Sequence, residues 1–239
     1  TNNYTWPSVA DEKSNNALIR VSFNDYPTHG PLTSASFKIH PKITVTPTPD
    51  ATTKLKVGST YANLVKWTYT GTKTTTVDIR YDTNGGAGGY PGTQVIATLQ
   101  AIANGATGVT WGPIPDLGIN ANIKVKVFDP AFTEVAGESP AFKVHPGITL
   151  TAPLGGVNRT ANTTMTLSWT YTSASANVGN VNVYYDLNSG LGADGIDGNA
   201  DDMTLIGTQL STNCSAGACS YTWDGVTPQP ALVDNVLNT

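Results

Sequence analysis

Residues 35–46 read ASFKIHPKITVT, and residues 140–151 read PAFKVHPGITLT. Seven of the twelve positions are identical, and two more exchange one aliphatic residue for another. A phrase that returns after about 105 residues restricts the chain to like units built in series. The flanking segments repeat in the same order. VKWTYTG at 65–71 returns as LSWTYTS at 167–173, and VDIRYDTNGG at 77–86 returns as VNVYYDLNSG at 181–190. VIATL at 95–99 is matched by TLIGT at 204–208, and VTWGPIPD at 109–116 by YTWDGVTP at 221–228.

The opening residues belong to the same pattern. NYTWPSV at 3–9 resembles VTWGPIP, LIRVSF at 18–23 matches IKVKVF at 123–128, and SFKIH at 36–40 matches AFKVH at 141–145. Three segments follow: residues 1–40 as the closing part of an incomplete repeat, 41–145 as a complete repeat, and 146–239 as the opening part of another whose last strands are missing. His40-Pro41 and His145-Pro146 then fall at handovers between repeats. There the fixed φ of proline and its restriction of the preceding residue stiffen the link. These histidines are expected to be structural rather than metal-binding, and His29 reads as a loop residue.

Within each unit the apolar residues alternate. Val65, Trp67 and Tyr69 share one parity, as do Val77, Ile79 and Tyr81, and Ile123, Val125 and Val127. Period two over six or seven residues marks a half-buried strand. The composition agrees. Glutamate occurs only at 12, 134 and 138, whereas 24 glycines and 15 prolines punctuate a chain rich in threonine. Such a chain is poor in helix formers and rich in β-branched residues. The expected fold is all-β, with about seven strands per unit in a two-sheet sandwich.

The stretches KWTYTG, VDIRYDTNGG, the strand around Trp111, IKVKVFDP and SPAFKVH resemble tandem immunoglobulin-like and fibronectin type III-like repeats of large prokaryotic extracellular or surface proteins. The resemblance covers nearly the whole chain. It implies a structural role in a fibre, sheath or cell-surface stalk. The implied partners are copies of the chain itself or adjacent repeats, met end to end or by strand complementation. The alternative is an adhesin or carbohydrate-binding accessory module, for which Tyr90 and Tyr184 are the candidate exposed aromatics. Trp67 and Trp169 are expected in sandwich cores, and so are Trp6, Trp111 and Trp223, which share one repeat position.

Other classes find little support. A net charge of −4 without a basic run argues against nucleic acid. No apolar stretch reaches the length of a membrane span. Neither a carboxylate pair nor a Ser-His-Asp set suggests catalysis.

Cys214 and Cys219, separated by four small residues, suit a hairpin closed by a disulfide worth about 2 kcal/mol in the chain-entropy model. Such a bond points to an oxidising, extracellular setting. Asn3, Asn158, Asn162 and Asn213 head N-x-S/T sequons, candidate glycosylation sites. The second repeat also carries an acidic insertion, DLNSGLGADGIDGNADD at 186–202. Asp197, Asn199 and Asp201 have the one-three-five spacing of calcium ligands. With Asp194 and Asp202 they form the candidate set for structural calcium, with Asp186 beside them. The pattern departs from an EF-hand, with Asp202 where Gly belongs and Thr208 where Glu belongs, and a solvated acidic loop is the alternative.

Overall fold

A computed structural model describes residues 3–25, 30, 32–46, 54–117, 122–155, 163–173, 178–185, 204–210, 214 and 217–223. The described elements are strands, apart from one short 3-10 turn, and the fold is all-β. Two compact units divide the chain. One gathers Thr1–Leu55, Ser59–Ile114 and Asn120–Lys143; the other gathers Lys56–Gly58, Pro115–Ile119 and Val144–Thr239.

The first unit takes in both the opening residues and the middle repeat. Its opening segment carries β1 (Ser14–Ala17), β2 (Arg20–Val21), β3 (Leu32–Thr33) and β4 (Phe37–Ile39), with β1 antiparallel to β4 and β2 to β3. After His40-Pro41 come β5 (Lys42–Val45), β6 (Lys54–Lys56), β7 (Tyr61–Val65), β8 (Trp67–Thr70), β9 (Thr76–Asp82) and β10 (Val95–Ala101). A 3-10 turn at Ile102–Gly105 leads to β11 (Val109–Trp111), β12 (Lys124–Asp129), β13 (Phe132–Glu138) and β14 (Lys143–His145).

One layer is the antiparallel sheet β10-β9-β12-β13. In the other, β5 pairs β8 and β11 pairs β7, with Lys66 alone between β7 and β8. Period-two alternation delivers Val77, Ile79, Val125, Val127 and Val135 to the interior from the first layer, and Ile43, Val45, Val65, Trp67 and Trp111 from the second. Trp67 donates its indole N–H to the Ile102 carbonyl at 3.0 Å. Gly105 is required beside it, because a Cβ there would stand 2.4 Å from the Trp67 carbonyl oxygen.

One expectation about aromatic burial fails. Trp6 is 42% exposed rather than in a core. Trp111 is held inside by the pairing of β11 with β7, whereas Trp6 lies ahead of β1 in no strand.

In the second unit β15 (Ile148–Ala152), β16 (Met165–Tyr171) and β19 (Ala218–Trp223) form one antiparallel sheet, and β17 (Asn180–Tyr185) pairs β18 (Thr204–Leu210). Leu167, Trp169, Tyr171, Val178, Ile206 and Cys219 make its buried core. The registers match the first unit. Ile43, Thr44 and Val45 face Tyr69, Thr68 and Trp67; Ile148, Thr149 and Leu150 face Tyr171, Thr170 and Trp169. The Tyr81–Trp111 ring contact at 5.3 Å returns as Tyr185–Trp223 at 5.0 Å.

Candidate functional site

Some of the described carboxylates shape turns, and others fasten segments together. Asp82, nearly fully buried, accepts the N–H groups of Asn84 at 3.0 Å and Gly86 at 2.6 Å, which folds the DTNGG loop around one side chain. Asp129 receives the Lys13 ammonium, the Thr74 hydroxyl at 3.0 Å and the N–H groups of Ala131 and Phe132 at 2.9 and 3.2 Å. Burial pushes its pKa up. The hydrogen bonds from Lys13, Ala131 and Thr74, helped by the Lys13 charge, outweigh that and hold the carboxyl below the usual carboxylate value. Asp11 is held low by the Thr72 hydroxyl at 2.7 Å and then by the Thr72 N–H at 2.6 Å. Asp11, Lys13 and the Lys38–Glu134 pair at 2.6 Å fasten the opening segment to the middle repeat.

Among the described residues, no three of His, Cys, Asp and Glu gather as a metal-ligand set. The calcium candidates Asp194, Asp197, Asn199, Asp201 and Asp202, with Asp186, lie outside the described residues, as do Asn158, Asn162, Asn213 and His29. Asn3 is exposed. Cys214 and Cys219 are disulfide-bonded with Cα atoms 4.5 Å apart, and Cys219 enters the core of the second unit from β19. His40 lies between β4 and β5 with Nδ1 3.1 Å from the Pro41 carbonyl, and His145 ends β14. Tyr90 is buried, not exposed. Burial, then the nearby Glu138 charge, raises its pKa above the ordinary phenol value, and its ring lies under the Lys126 ammonium at 5.5 Å. Tyr184 is half-buried, with its hydroxyl 3.1 Å from the Asn182 amide nitrogen.

What stands out instead is apolar surface on the opening segment. Ile19, Val21, Phe23 and Leu32 are 46%, 65%, 72% and 76% exposed. Val21, Phe23 and Leu32, with Ser22 and Gly30, line a shallow groove of about 130 Å³. The backbone beneath them copies β12–β13. In the middle repeat, Ser139 N–H donates to the Val125 carbonyl at 2.8 Å, Val125 N–H to Ser139 Oγ at 3.0 Å, and that hydroxyl to the Pro140 carbonyl at 2.8 Å. In the opening segment, Ser34 N–H donates to the Ile19 carbonyl at 2.8 Å, Ile19 N–H to Ser34 Oγ at 2.9 Å, and that hydroxyl to the Ala35 carbonyl at 2.8 Å. The clasp makes Ile19 the counterpart of Val125, and Val21 that of Val127, which corrects by one residue the sequence match of 18–23 to 123–128. Both counterparts are fully buried.

This clasp was missed in the sequence, although a signal existed: each serine stands six residues before its His-Pro. The second unit shows the converse. Ile148 and Leu150 are 50% and 56% exposed where their counterparts Ile43 and Val45 are 3% and 7%.

No family model matches the chain. No curated protein matches it either. Among solved structures it is similar to the three N-terminal domains of the highly immunogenic outer capsid protein of bacteriophage RB49. The identity is 14% and the TM-score 0.27, over 84% of this chain and 62% of that one. It is also similar to the titin domains Z1Z2 solved in complex with telethonin, at 13% identity and a TM-score of 0.22, over 75% of this chain and 93% of that one. The chain spans less than two thirds of the phage chain's length. Likenesses at these scores carry no argument about what the protein does.

Proposed function

We propose that the chain is a structural module of an extracellular or cell-surface array, a run of β-sandwich beads within a fibre, sheath or stalk. The observation that supports this reading is the repetition of one framework at the level of individual residue pairs. The β5–β8 register returns in β15–β16, and the tyrosine–tryptophan contact returns beside it. A chain that repeats its scaffold in series is suited to spanning distance between neighbours.

Electron microscopy of the concentrated protein tests the idea. Regular filaments with an axial repeat of one sandwich are expected. Dispersed particles together with hits on a glycan array would overturn it in favour of the adhesin or carbohydrate-binding alternative. Structural calcium in the 186–202 insertion is proposed on its ligand spacing alone, as part of the same reading. Calorimetric titration of the chain with calcium is expected to show uptake, and its absence leaves a solvated acidic loop.

A further inference from the structure

We propose that the β2–β3 hairpin of one copy completes the second unit of another copy, with β2 adding to the free edge of β17 and β3 covering Ile148 and Leu150 on β15. The idea rests on the array reading and identifies the contact that would join one bead to the next.

The middle repeat shows what a completed unit looks like. There β9 is flanked by β10 on one edge and β12 on the other, and Gly137 of β13 lies so close to β5 that a Cβ would stand 2.6 Å from the Ile43 carbonyl oxygen. In the second unit β17 takes the place of β9. Among the described residues it pairs only β18, so the edge that β12 would occupy is open. The face that β13 would cover is the face on which Ile148 and Leu150 stand exposed. Among the described residues, the second unit shows neither strand of that hairpin.

The opening segment presents that hairpin. Its serine clasp fixes β2 and β3 in the β12–β13 arrangement, with Arg20 opposite Thr33 and Val21 opposite Leu32 as Lys126 is opposite Glu138 and Val127 opposite Gly137. β2 has β3 on one edge and, among the described residues, no strand on the other. Ile19, Val21 and Leu32 stand exposed. Each half is missing what the other displays: a strand edge for a strand edge, and an apolar row for an apolar row. Adding a strand through main-chain hydrogen bonds, with alternate side chains entering the partner's interior, is an established mode of association. An uncovered apolar edge strand is otherwise a liability.

The register follows from the middle repeat, where Val125, Lys126, Val127 and Phe128 face Tyr81, Arg80, Ile79 and Asp78. Carried across, Ile19 faces Tyr185, Arg20 faces Tyr184, Val21 faces Val183 and Ser22 faces Asn182. The inward row is then apolar throughout: Val183 and Tyr185 already pack on the core of the second unit. The outward row is Arg20 and Ser22 against Tyr184 and Asn182, which can share polar contacts and a cation–π contact.

The test uses the 239-residue chain in light scattering with size separation across a concentration series. Dimers and longer head-to-tail oligomers are expected to grow with concentration. Val21→Asp disables the donor hairpin and Leu150→Asp the acceptor face. Both side chains are exposed in the isolated chain, so both variants are expected to fold. Each alone is expected to stay monomeric, and an equimolar mixture to form a dimer that grows no further. A second measurement reads the register. Val21→Cys mixed with Val183→Cys is expected to crosslink between chains at least tenfold faster than Val21→Cys mixed with Tyr185→Cys. A wild-type chain that stays monomeric, a Val21→Cys crosslink to Tyr185→Cys as fast as that to Val183→Cys, or oligomers indifferent to Val21→Asp would each overturn the proposal. Filaments that persist in the Val21→Asp variant would leave the array reading standing while removing this joint from it.

Discussion

The Lys13–Asp129 pair offers the sharpest test of how the opening segment is fastened. Its partners lie 116 residues apart in sequence, with Lys13 on the opening segment and Asp129 at the end of β12. The Lys13 side chain is 21% exposed and that of Asp129 is 4% exposed. The geometry separates two costs. Lys13→Met removes one charged donor and leaves the carboxylate with Thr74 and two backbone N–H groups, so no buried charge is orphaned. The expected loss is that of a hydrogen bond between charged groups, about 1.5–3 kcal/mol, near the lower end because Lys13 is partly wet. Asp129→Ala strips all four donors at once and leaves a buried turn unsatisfied, for about 3–5 kcal/mol.

In the Asp129→Ala background, Lys13→Met is expected to cost almost nothing, and the coupling energy of the cycle then reports the pair. Hydrogen exchange read by mass spectrometry on β9 and β12 peptides measures these changes, with β16 and β19 of the second unit as the internal reference. A Lys13→Met cost below about 0.5 kcal/mol would place the pair among ordinary surface pairs. An equal cost in both backgrounds would show that Lys13 acts elsewhere. Either result would refute the tether.

The same carboxylate gives a pH dependence whose sign is fixed. Its folded pKa lies below the ordinary 3.8, so its contribution is fully present above that value and is lost as pH falls through the depressed folded value. An acid titration of stability is expected to be shallower below pH 3.8 in Asp129→Asn than in the wild type. Gly105→Ala drives a methyl group into the Trp67 backbone and indole, at an expected cost of about 1–3 kcal/mol. Its melting curve, followed by tryptophan fluorescence, is expected to fall by about 4–8 °C per kcal/mol. Asp82→Ala frees the N–H groups of Asn84 and Gly86, and limited proteolysis is expected to cut the 83–90 loop faster than in the wild type. Reducing Cys214–Cys219 is expected to lower the stability of the second unit by about 2 kcal/mol. Exchange in the β9 and β12 peptides should be unchanged.

Most of the framework is legible in the sequence because strand faces depend on one short-range rule. V-x-I-x-Y at 77–81 and V-x-V-x-Y at 181–185 put the same parity inward in both units, whatever lies around them. The disulfide could be read for a similar reason: six residues carry the whole constraint. Burial could not be read the same way. Ile43 and Ile148 are the same letter in the same register, 3% and 50% exposed, because β13 covers one and no described strand covers the other. Trp6 failed for the same cause: its repeat position matches that of Trp111, but no strand pairing brings it a neighbour.

That difference has a use of its own. Where a chain repeats itself in register, the exposure of a residue minus that of its counterpart measures the neighbour that is absent, with the chemistry of the side chain cancelled out. Val21 against Val127 and Ile148 against Ile43 make two such subtractions, on opposite halves of one sandwich, and both call for the same contact. A covering partner of unrelated shape would have no reason to satisfy both at once. A hairpin already set in the β12–β13 arrangement does so once β15 gives room to Leu32, which stands at the position of Gly137.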